Sequence, residues 1–492
     1  MSSIRRYPDL YLGGKWVAPL RSDTLEAINP ATEEVIGVVP EAGEDDVRRA
    51  IAAARVAFDE GPWPRSSPRE RAAVLRRMAE IMRRRQDEIV ALDIAEVGRA
   101  RLLAESIFVE IPLEHWEDMA DRVLPSYEFE QAIPPQVNDF GVGQGVVLRE
   151  PYGVASIITP YNAPFFLALF KLAPALAAGC TTILKPSPNT PLSAFLLAEI
   201  AEEAGLPAGV LNVVTGSPEV GALLTSHPAV DLVSFTGSDA VGRLIMGQAS
   251  PTLKKVVLEL GGKSANIVCE DADLDKVIPS VLMAITVTCG QGCANLTRTL
   301  VHESLHDELV ARLKIALDQV TMGDPADPAV TMGPLISAAQ RRRVEDLIRV
   351  GVDEGAQIVH GGGRPAHLDK GFFLEPTVFV DVDNTMAIAQ REFFGPVNVV
   401  IPFRTDDEAV RLANQSDYGL AGGVWSGDPV RAYRIGARLR TGMVSLNGGS
   451  PGLTPHAPFG GYKSSGIGRE WGKWGLEEFL QHKAMLWPMA TG

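Results

Sequence analysis

The apolar positions of this chain change rhythm along its length. From Glu44 to Glu60, Val47, Ile51, Ala54 and Phe58 recur every three to four residues, the spacing of one helix face, and a similar pattern runs from Ser67 to Glu96. The arginines interleaved there read as a solvated helix face rather than a binding patch. From Gly153 onward the pattern becomes short, continuous apolar runs separated by helical ones. Residues 153–160, 181–186, 209–216, 231–237 and 254–260 predict buried strands, and 165–179, 191–205, 219–227 and 239–249 the helices between them. This alternation predicts an α/β fold with a parallel sheet wrapped on both faces, binding its ligand at the carboxyl ends of the strands. Those ends are Thr159–Asn162, Lys185–Pro188, Phe235–Ser238 and Glu259–Gly262. A second α/β series is predicted from Asp273 to near Gly466, with strands at Ala356–His360, Val378–Val382, Val397–Pro402 and Met443–Asn447. Tyr127–Arg149 interrupts the first series with alternating apolar residues and turn formers. It predicts a β-excursion, and Glu477–Trp487 is expected to pair with it or with a neighbouring subunit.

Composition narrows the class. The chain has 492 residues, 46% of them hydrophobic, with 46 Lys+Arg against 61 Asp+Glu and a net charge of −15. Chains of that length form about three domains at ~150 residues each. The acidic balance excludes nucleic-acid binding as the main activity and gives no attraction to anionic lipids. Phe165–Cys180, the most apolar stretch, is interrupted by Lys171 and Pro174 and is shorter than the ~18 residues of a membrane span. Met1–Lys15 has no apolar core of signal-peptide length, and Cys180, Cys269, Cys289 and Cys293 are too few for a disulfide framework. A cytoplasmic protein without membrane partners is expected. Cys289 and Cys293 lack a second Cys/His pair at ligand spacing, so no metal is expected.

Several residues could carry chemistry. Cys293 sits in CGQGCANLTR (289–298) among small residues that leave its sulfur approachable, although a structural thiol fits the same pattern. Glu259 ends an apolar strand in LELGGKS (258–264), where a carboxylate is costly unless paired or used. An ion pair with Lys263 or a helix cap would also explain it. Asn162, in ITPYNAPF (158–165), is held by flanking prolines and could act as an oxyanion donor or cap the following helix. No G-x-G-x-x-G follows any strand. FTGSDAVGR (235–243) offers instead a Gly-Ser turn entering a helix, able to place a phosphate at the helix N-terminus or simply to start a helix.

Together these segments resemble the NAD(P)-dependent aldehyde dehydrogenase superfamily over nearly the whole chain. LELGGKS matches the family's glutamate motif, and Gly290, Gln291, Cys293 and Arg298 match its cysteine motif G-Q-x-C-x-x-x-x-R. The interval 293 − 259 = 34 also resembles the family's. EFFGPV (392–397), PFGGYKSSGIGRE (458–470) and the Asn162 segment match three further signatures. The resemblance implies two Rossmann-like parallel-sheet domains and a small β oligomerisation arm. These would be a cofactor domain of residues 1–126 and 150–258, a catalytic domain of 259–470, and an arm of 127–149 and 471–492. A homodimer or homotetramer is implied.

The resemblance makes Cys293 the nucleophile on the aldehyde carbonyl, and makes Asn162 with the Cys293 N–H the oxyanion donors. Hydride transfer would leave a thioester, hydrolysed to the carboxylic acid by water that Glu259 activates. Lys171 and Glu470 would form a proton relay, or simply a buried ion pair. On the cofactor side Lys185 would hold the adenine ribose, Ser238 the pyrophosphate, and Glu392 the nicotinamide ribose with Phe394 beside it. Ile158, Thr159, Pro160, Tyr161, Ser187, Pro188, Gly221, Phe235, Gly237, Val241, Leu260 and Gly261 complete the implied cofactor contacts. Many NAD-preferring members have a glutamate where LKPSP (184–188) has Pro188. NAD is therefore expected as cofactor, with NADP accepted too.

The implied substrate funnel comprises Ala163, Leu167, Phe170, Gly292, Ala294 and Phe459, with the 448–453 loop at its mouth and further contacts from helix 106–123, which carries His115 and Trp116. None of the six is charged, and Ala163, Gly292 and Ala294 are small, so an apolar or aromatic aldehyde is expected. A CoA-acylating semialdehyde dehydrogenase is the nearer alternative, disfavoured by Glu259. A non-catalytic protein on the same fold is the farther one.

Overall fold

The computed structural model describes residues 4–138, 141–449 and 453–488. The loop 448–453 expected at the funnel mouth therefore lies partly outside the described residues. Strand Val154–Ile158 is buried along its whole length, with parallel neighbours Leu232–Thr236 on one side and Thr181–Lys185 on the other. Leu211–Val213 continues the sheet beyond Thr181–Lys185, and Lys255–Glu259 beyond Leu232–Thr236, again in parallel. The chain thus builds outward in one direction from Val154–Ile158, then crosses back and builds outward in the other. Connections leaving in opposite directions open a crevice at the carboxyl ends of Val154–Ile158 and Leu232–Thr236. Antiparallel Leu10–Leu12, Lys15–Val17 and Gly466–Ile467 close the edges of this eight-stranded sheet.

Helix Pro164–Ala178 follows the crevice strand. Proline suits its first turn, left-handed Gly179 ends it, and each of its residues is buried. A helix apolar all round is a helix enclosed all round. Upstream, the pattern predicted from Ser67 to Glu96 divides at Arg85 into helices Pro68–Arg84 and Gln86–Val97, the first opened by a Ser67–Glu70 capping box. The helical run Arg101–Ser126 contains two π-turns, Ala104–Val109 and Met119–Val123. No helix among the described residues is long and apolar enough to cross a membrane.

A second, seven-stranded sheet has the order Gln357–His360, Thr377–Val380, Val397–Phe403, Arg298–His302, Ala265–Val268, Gly422–Trp425, Ser445–Leu446. It is parallel except between its first two strands. It begins at Ala265, upstream of the predicted Asp273, and includes Arg298–His302 and Gly422–Trp425, which the apolar pattern does not show. Outside both sheets, Leu480–Pro488 pairs antiparallel with Gly141–Pro151, which pairs with Glu130–Asn138. The C-terminal segment therefore finds its strand partner within its own chain.

Helix Leu274–Thr286 leads into a tight loop before Cys293. Thr288 and Cys289 both adopt left-handed backbone, with φ of 48° and 52°, at a cost of roughly 1–2 kcal/mol per residue. Gly290 follows at φ 69°, and a Cβ there would stand 2.0 Å from the Gly395 carbonyl oxygen. Only glycine lets this loop lie backbone against backbone on the 395–396 segment. Gly290→Ala is expected to cost at least about 1 kcal/mol for its backbone alone, more with the clash. A thermal melt identical to that of the unaltered protein would sink this account of the loop.

Candidate active site

Two cavities meet at Cys293, Asn162 and Thr236. The Asn162 amide Nδ2 donates to the Gln291 carbonyl at 2.8 Å, while the Asn162 carbonyl accepts from Arg99 at 2.7 Å. One amide N–H is thus spent on orientation, and the other remains for a ligand in the cavity. Cys293 is half-buried. Burial pushes its thiol up to about 12, the Glu392 and Glu259 carboxyls add to the rise, and the backbone N–H groups of Ala294 and Cys293 pull it down. Those N–H groups are donors aimed at negative charge on or beside the sulfur.

Glu259 sits at the end of its strand, buried, and both carboxyl oxygens lack a hydrogen-bond partner. Burial and the neighbouring Glu470 raise its pKa well above the ordinary carboxylate value, while Lys171 and Arg469 draw it down. It makes no ion pair with Lys263, whose Nζ lies 4.6 Å from the Phe393 ring centroid without a hydrogen-bond partner. Lys171, also buried, donates to Glu470 at 2.5 Å and to the Ser234 hydroxyl at 3.2 Å. Glu470 Oε2 is left unpartnered. Lys171, Glu470 and Glu259 therefore form one buried charge cluster under the cavities.

The larger cavity, about 350 Å³, holds Ala163, Leu167, Gly292, Ala294 and Phe459 in its wall, as the sequence predicts. Phe170 does not line it. Its ring packs behind, on Phe166 (4.3 Å between centroids), His115 (4.6 Å) and Trp471 (5.3 Å). Trp471, stacked on Phe459 at 4.6 Å, and Ile107 and Phe108 on the first π-turn take that place in the wall. His115 reaches the rim by its Nε2, 3.1 Å from the Leu453 carbonyl, whereas Trp116 is core, donating to the Leu75 carbonyl. Glu259 is the only residue of a charged type among the described residues in this wall.

The smaller cavity, about 110 Å³, carries an ionisable side chain, Glu392, in a largely apolar lining that also includes Pro160, Tyr161, Gly237, Ser238, Leu260, Gly261 and Phe394. Glu392 accepts from the Gly262 N–H at 3.0 Å, and burial pushes it up to about 7. It can approach because Gly261 has no side chain: a Cβ there would stand 2.5 Å from Glu392 Oε2. Phe394 is left-handed at φ 53°, with its carbonyl held by Gln340 Nε2 at 2.8 Å and its ring edge-on to Tyr161. Ser238 caps helix Asp239–Ala249, aiming that N-terminus at the cavity.

Other predicted cofactor residues stand outside this cavity. Ile158 and Thr159 are buried at the end of their strand, and Phe235 lies under Gly237. Val241 is exposed on the helix that Ser238 caps. Lys185 lies farther along the crevice beside Gly221. Its buried Nζ finds only the Pro186 carbonyl, at 3.4 Å, and burial lowers it to about 8. Ser187 accepts from the Asn189 N–H in an exposed turn that also carries Pro188. Arg343, which sequence reasoning missed, lines the smaller cavity, and its charge draws Glu392 down. It belongs to an Arg341–Arg343 run on helix Ala338–Asp353, and nothing in that run marks which arginine faces a cleft.

The Aldehyde dehydrogenase family matches residues 16–485. The chain is 44% identical to 3-succinoylsemialdehyde-pyridine dehydrogenase of a Pseudomonas species, over 98% of this chain and 99% of that protein. It is 42% identical to geranial dehydrogenase of Castellaniella defragrans, over 97% and 98%. The crystal structure of a Mycobacterium tuberculosis aldehyde dehydrogenase complexed with NAD+ superposes with a TM-score of 0.95 at 46% identity, covering 100% of both chains.

The buried pair yields a stability prediction. Removing one partner strands the other charge, so Lys171→Met is expected to lower the unfolding free energy by about 3–5 kcal/mol, read by urea denaturation. The Lys171→Met/Glu470→Gln double variant should regain most of that loss. Equal losses in single and double variants would show that the pair is not the source.

Proposed function

The chain belongs to the aldehyde dehydrogenase family, and from that membership we propose that it oxidises an apolar or aromatic aldehyde to the carboxylic acid with a nicotinamide dinucleotide. The observation that carries the reading is the meeting of two cavities, one apolar and one bordered by Glu392 and Arg343, at a single half-buried thiol, Cys293.

The cleft bordered by Glu392 and Ser238 suits a dinucleotide. Lys185 keeps a buried ammonium with one long contact, a capped helix N-terminus faces inward at Ser238, and Glu392 offers a carboxylate. These groups would hold, respectively, a ribose, the pyrophosphate and the second ribose. When bound, the nicotinamide supplies the hydride acceptor. The exposed Pro188 has neither an acceptor for a ribose 2′-hydroxyl nor a charge to repel a 2′-phosphate, so NADP should be accepted beside NAD.

The chain's own residues divide the remaining work. With its pKa near 12, Cys293 is a neutral thiol in the free protein and must lose its proton to attack. Glu259, unpartnered and raised, is the base suited to take it and later to draw a proton from the water that cleaves the thioester. The free Asn162 N–H and the Cys293 N–H stabilise the oxyanion in both steps. Lys171 and Glu470 lead the proton away from Glu259. Among the described residues the wall has no Lys or Arg, so it offers no cationic partner for an anionic aldehyde. The succinoylsemialdehyde-pyridine and geranial named for the two relatives, a pyridine-bearing and an apolar aldehyde, support this choice.

The deciding assay is the initial rate of nicotinamide reduction without CoA on short aliphatic, long-chain, aromatic and ω-carboxylate aldehydes. Apolar and aromatic aldehydes should turn over best, with NADP kcat/KM within about a hundredfold of NAD, ~2.7 kcal/mol. Turnover with ω-carboxylates alone would refute the substrate class. A CoA requirement would refute the hydrolytic role of Glu259.

The raised Glu259 also sets a pH dependence. Below its pKa it is protonated and cannot accept a proton, so kcat should climb with pH through an acid limb above the ordinary carboxylate range, ~4.3. In Glu259→Gln that limb should vanish and kcat fall by roughly 10²–10⁴-fold, with the burst of reduced nicotinamide slowed as well. An unchanged steady-state rate in the variant would remove Glu259 from the hydrolytic step.

A further inference from the structure

Arg99 enters none of the steps above, yet it is among the most buried side chains of the protein, 1% exposed. A guanidinium stays charged, so burying it requires partners for its donors. Separate parts of the chain provide them. Nε donates to Asp93 at 2.6 Å, Nη2 to the Asn162 carbonyl at 2.7 Å, and Nη1 to the Thr288 hydroxyl. Its flat face lies over Phe108, 3.2 Å from the ring centroid.

Every contact except Asp93 leads into the site. Asn162 is the residue whose amide reaches the cavity. Thr288 is the first of the two left-handed residues before Cys293. Phe108 lines the apolar cavity. The bonds also close a ring. Asn162 Nδ2 donates to the Gln291 carbonyl, and Gln291 Nε2 donates to the Thr288 carbonyl at 3.0 Å. Arg99, Asn162, Gln291 and Thr288 thus join the oxyanion arm to the nucleophile loop through one planar group. Arg99 is itself anchored, because Gly98 ends helix Gln86–Val97 in left-handed backbone between Pro30 and Pro334.

We propose that Arg99 is a positioning residue that sets the separation of the Asn162 amide and the Cys293 sulfur and orients the Phe108 wall. The proposal rests on the dehydrogenase reading of the same site. Lysine could neutralise Asp93 but lacks the planar fork that bridges Asn162 to Thr288 and covers Phe108.

The test compares Arg99→Met, Arg99→Lys and Thr288→Val with the unaltered protein. It measures kcat, KM for the cofactor, melting temperature, and the rate at which iodoacetamide labels Cys293 without aldehyde. Thr288→Val keeps the branched shape and the buried Arg99–Asp93 pair, losing only the hydroxyl, so it tests the link even where Arg99→Met does not fold. All three variants should lose kcat, by roughly 10²-fold for an ångström of misplacement. Cofactor KM should stay unchanged, the labelling rate should shift, and Arg99→Lys should recover stability without recovering kcat. A lower melting temperature in Arg99→Met with wild-type kcat and labelling in Thr288→Val would overturn the proposal, leaving Arg99 a purely structural ion. Absence of aldehyde turnover in the unaltered protein would refute the dehydrogenase reading instead, while the labelling comparison still reports on the hold over Cys293.

Discussion

The strand ending at Glu259 and the strand beginning at Ala265 belong to different sheets, and only Leu260–Ser264 separates them. So short a link forces the carboxyl edge of the first sheet against the amino edge of the second. The link is also pinned. The Leu260 N–H donates to the Ser465 carbonyl at 2.9 Å, the Ser465 hydroxyl to the Gly261 carbonyl at 2.7 Å, and the Gly262 N–H to Glu392 at 3.0 Å. Segments distant in sequence are thereby drawn to one place, with Glu259 on one side of the junction and the Cys293 loop on the other. A carboxylate that would be costly inside a single sheet becomes the floor of a cleft between two.

The buried charges sort themselves by whether they are satisfied. Arg298 spends its donors on the Lys263, Leu412 and Ala413 carbonyls and on Asn384, tying the second sheet to its surrounding loops. Arg99 is met equally fully. Glu259 and Lys185, by contrast, are buried with no partner or one long one, and both face the crevice. Burying an unmet polar group is unfavourable, so such groups persist where a ligand or a reaction completes them. Lys263 is the exception. Its Nζ is unpartnered and pushed down to about 7 by burial, but it lies against Phe393 and outside both cavities that meet at Cys293.

The first sheet was legible in the sequence because its central strands and helix Pro164–Ala178 are buried on all sides, so the apolar runs coincide with the elements. Full burial also hides direction. Helix Pro164–Ala178 has no polar stripe to say which face meets the cavity, and Phe170 therefore reads as wall when it is second layer. The second sheet was harder to read. Ala265–Val268 carries the buried Asn266, which accepts from Trp425 Nε1 at 2.9 Å, and Gly422–Trp425 opens on two glycines, so neither looks like a core strand. Cys293, Glu259 and Asn162 were legible from local motifs and converge in space. Arg99, Arg343 and Phe108 were not, because long-range packing alone brings a residue distant in sequence to the site.

Burial that raises both members of the central pair has a chemical consequence in the proposed mechanism. A thiol near 12 facing an ordinary carboxylate would seldom yield its proton, since the gap between the two would make the transfer steeply uphill. The environment that lifts Cys293 lifts Glu259 as well, narrowing that gap. The thiol stays neutral, and so weakly nucleophilic, while the site is empty of substrate. Proton transfer would then accompany attack: as the sulfur adds to the aldehyde carbonyl, negative charge passes to the oxygen, where Asn162 and the Cys293 N–H would receive it. In that mechanism one low-dielectric junction between two sheets would keep the thiol neutral at rest and bring the pKa of its base nearer to its own.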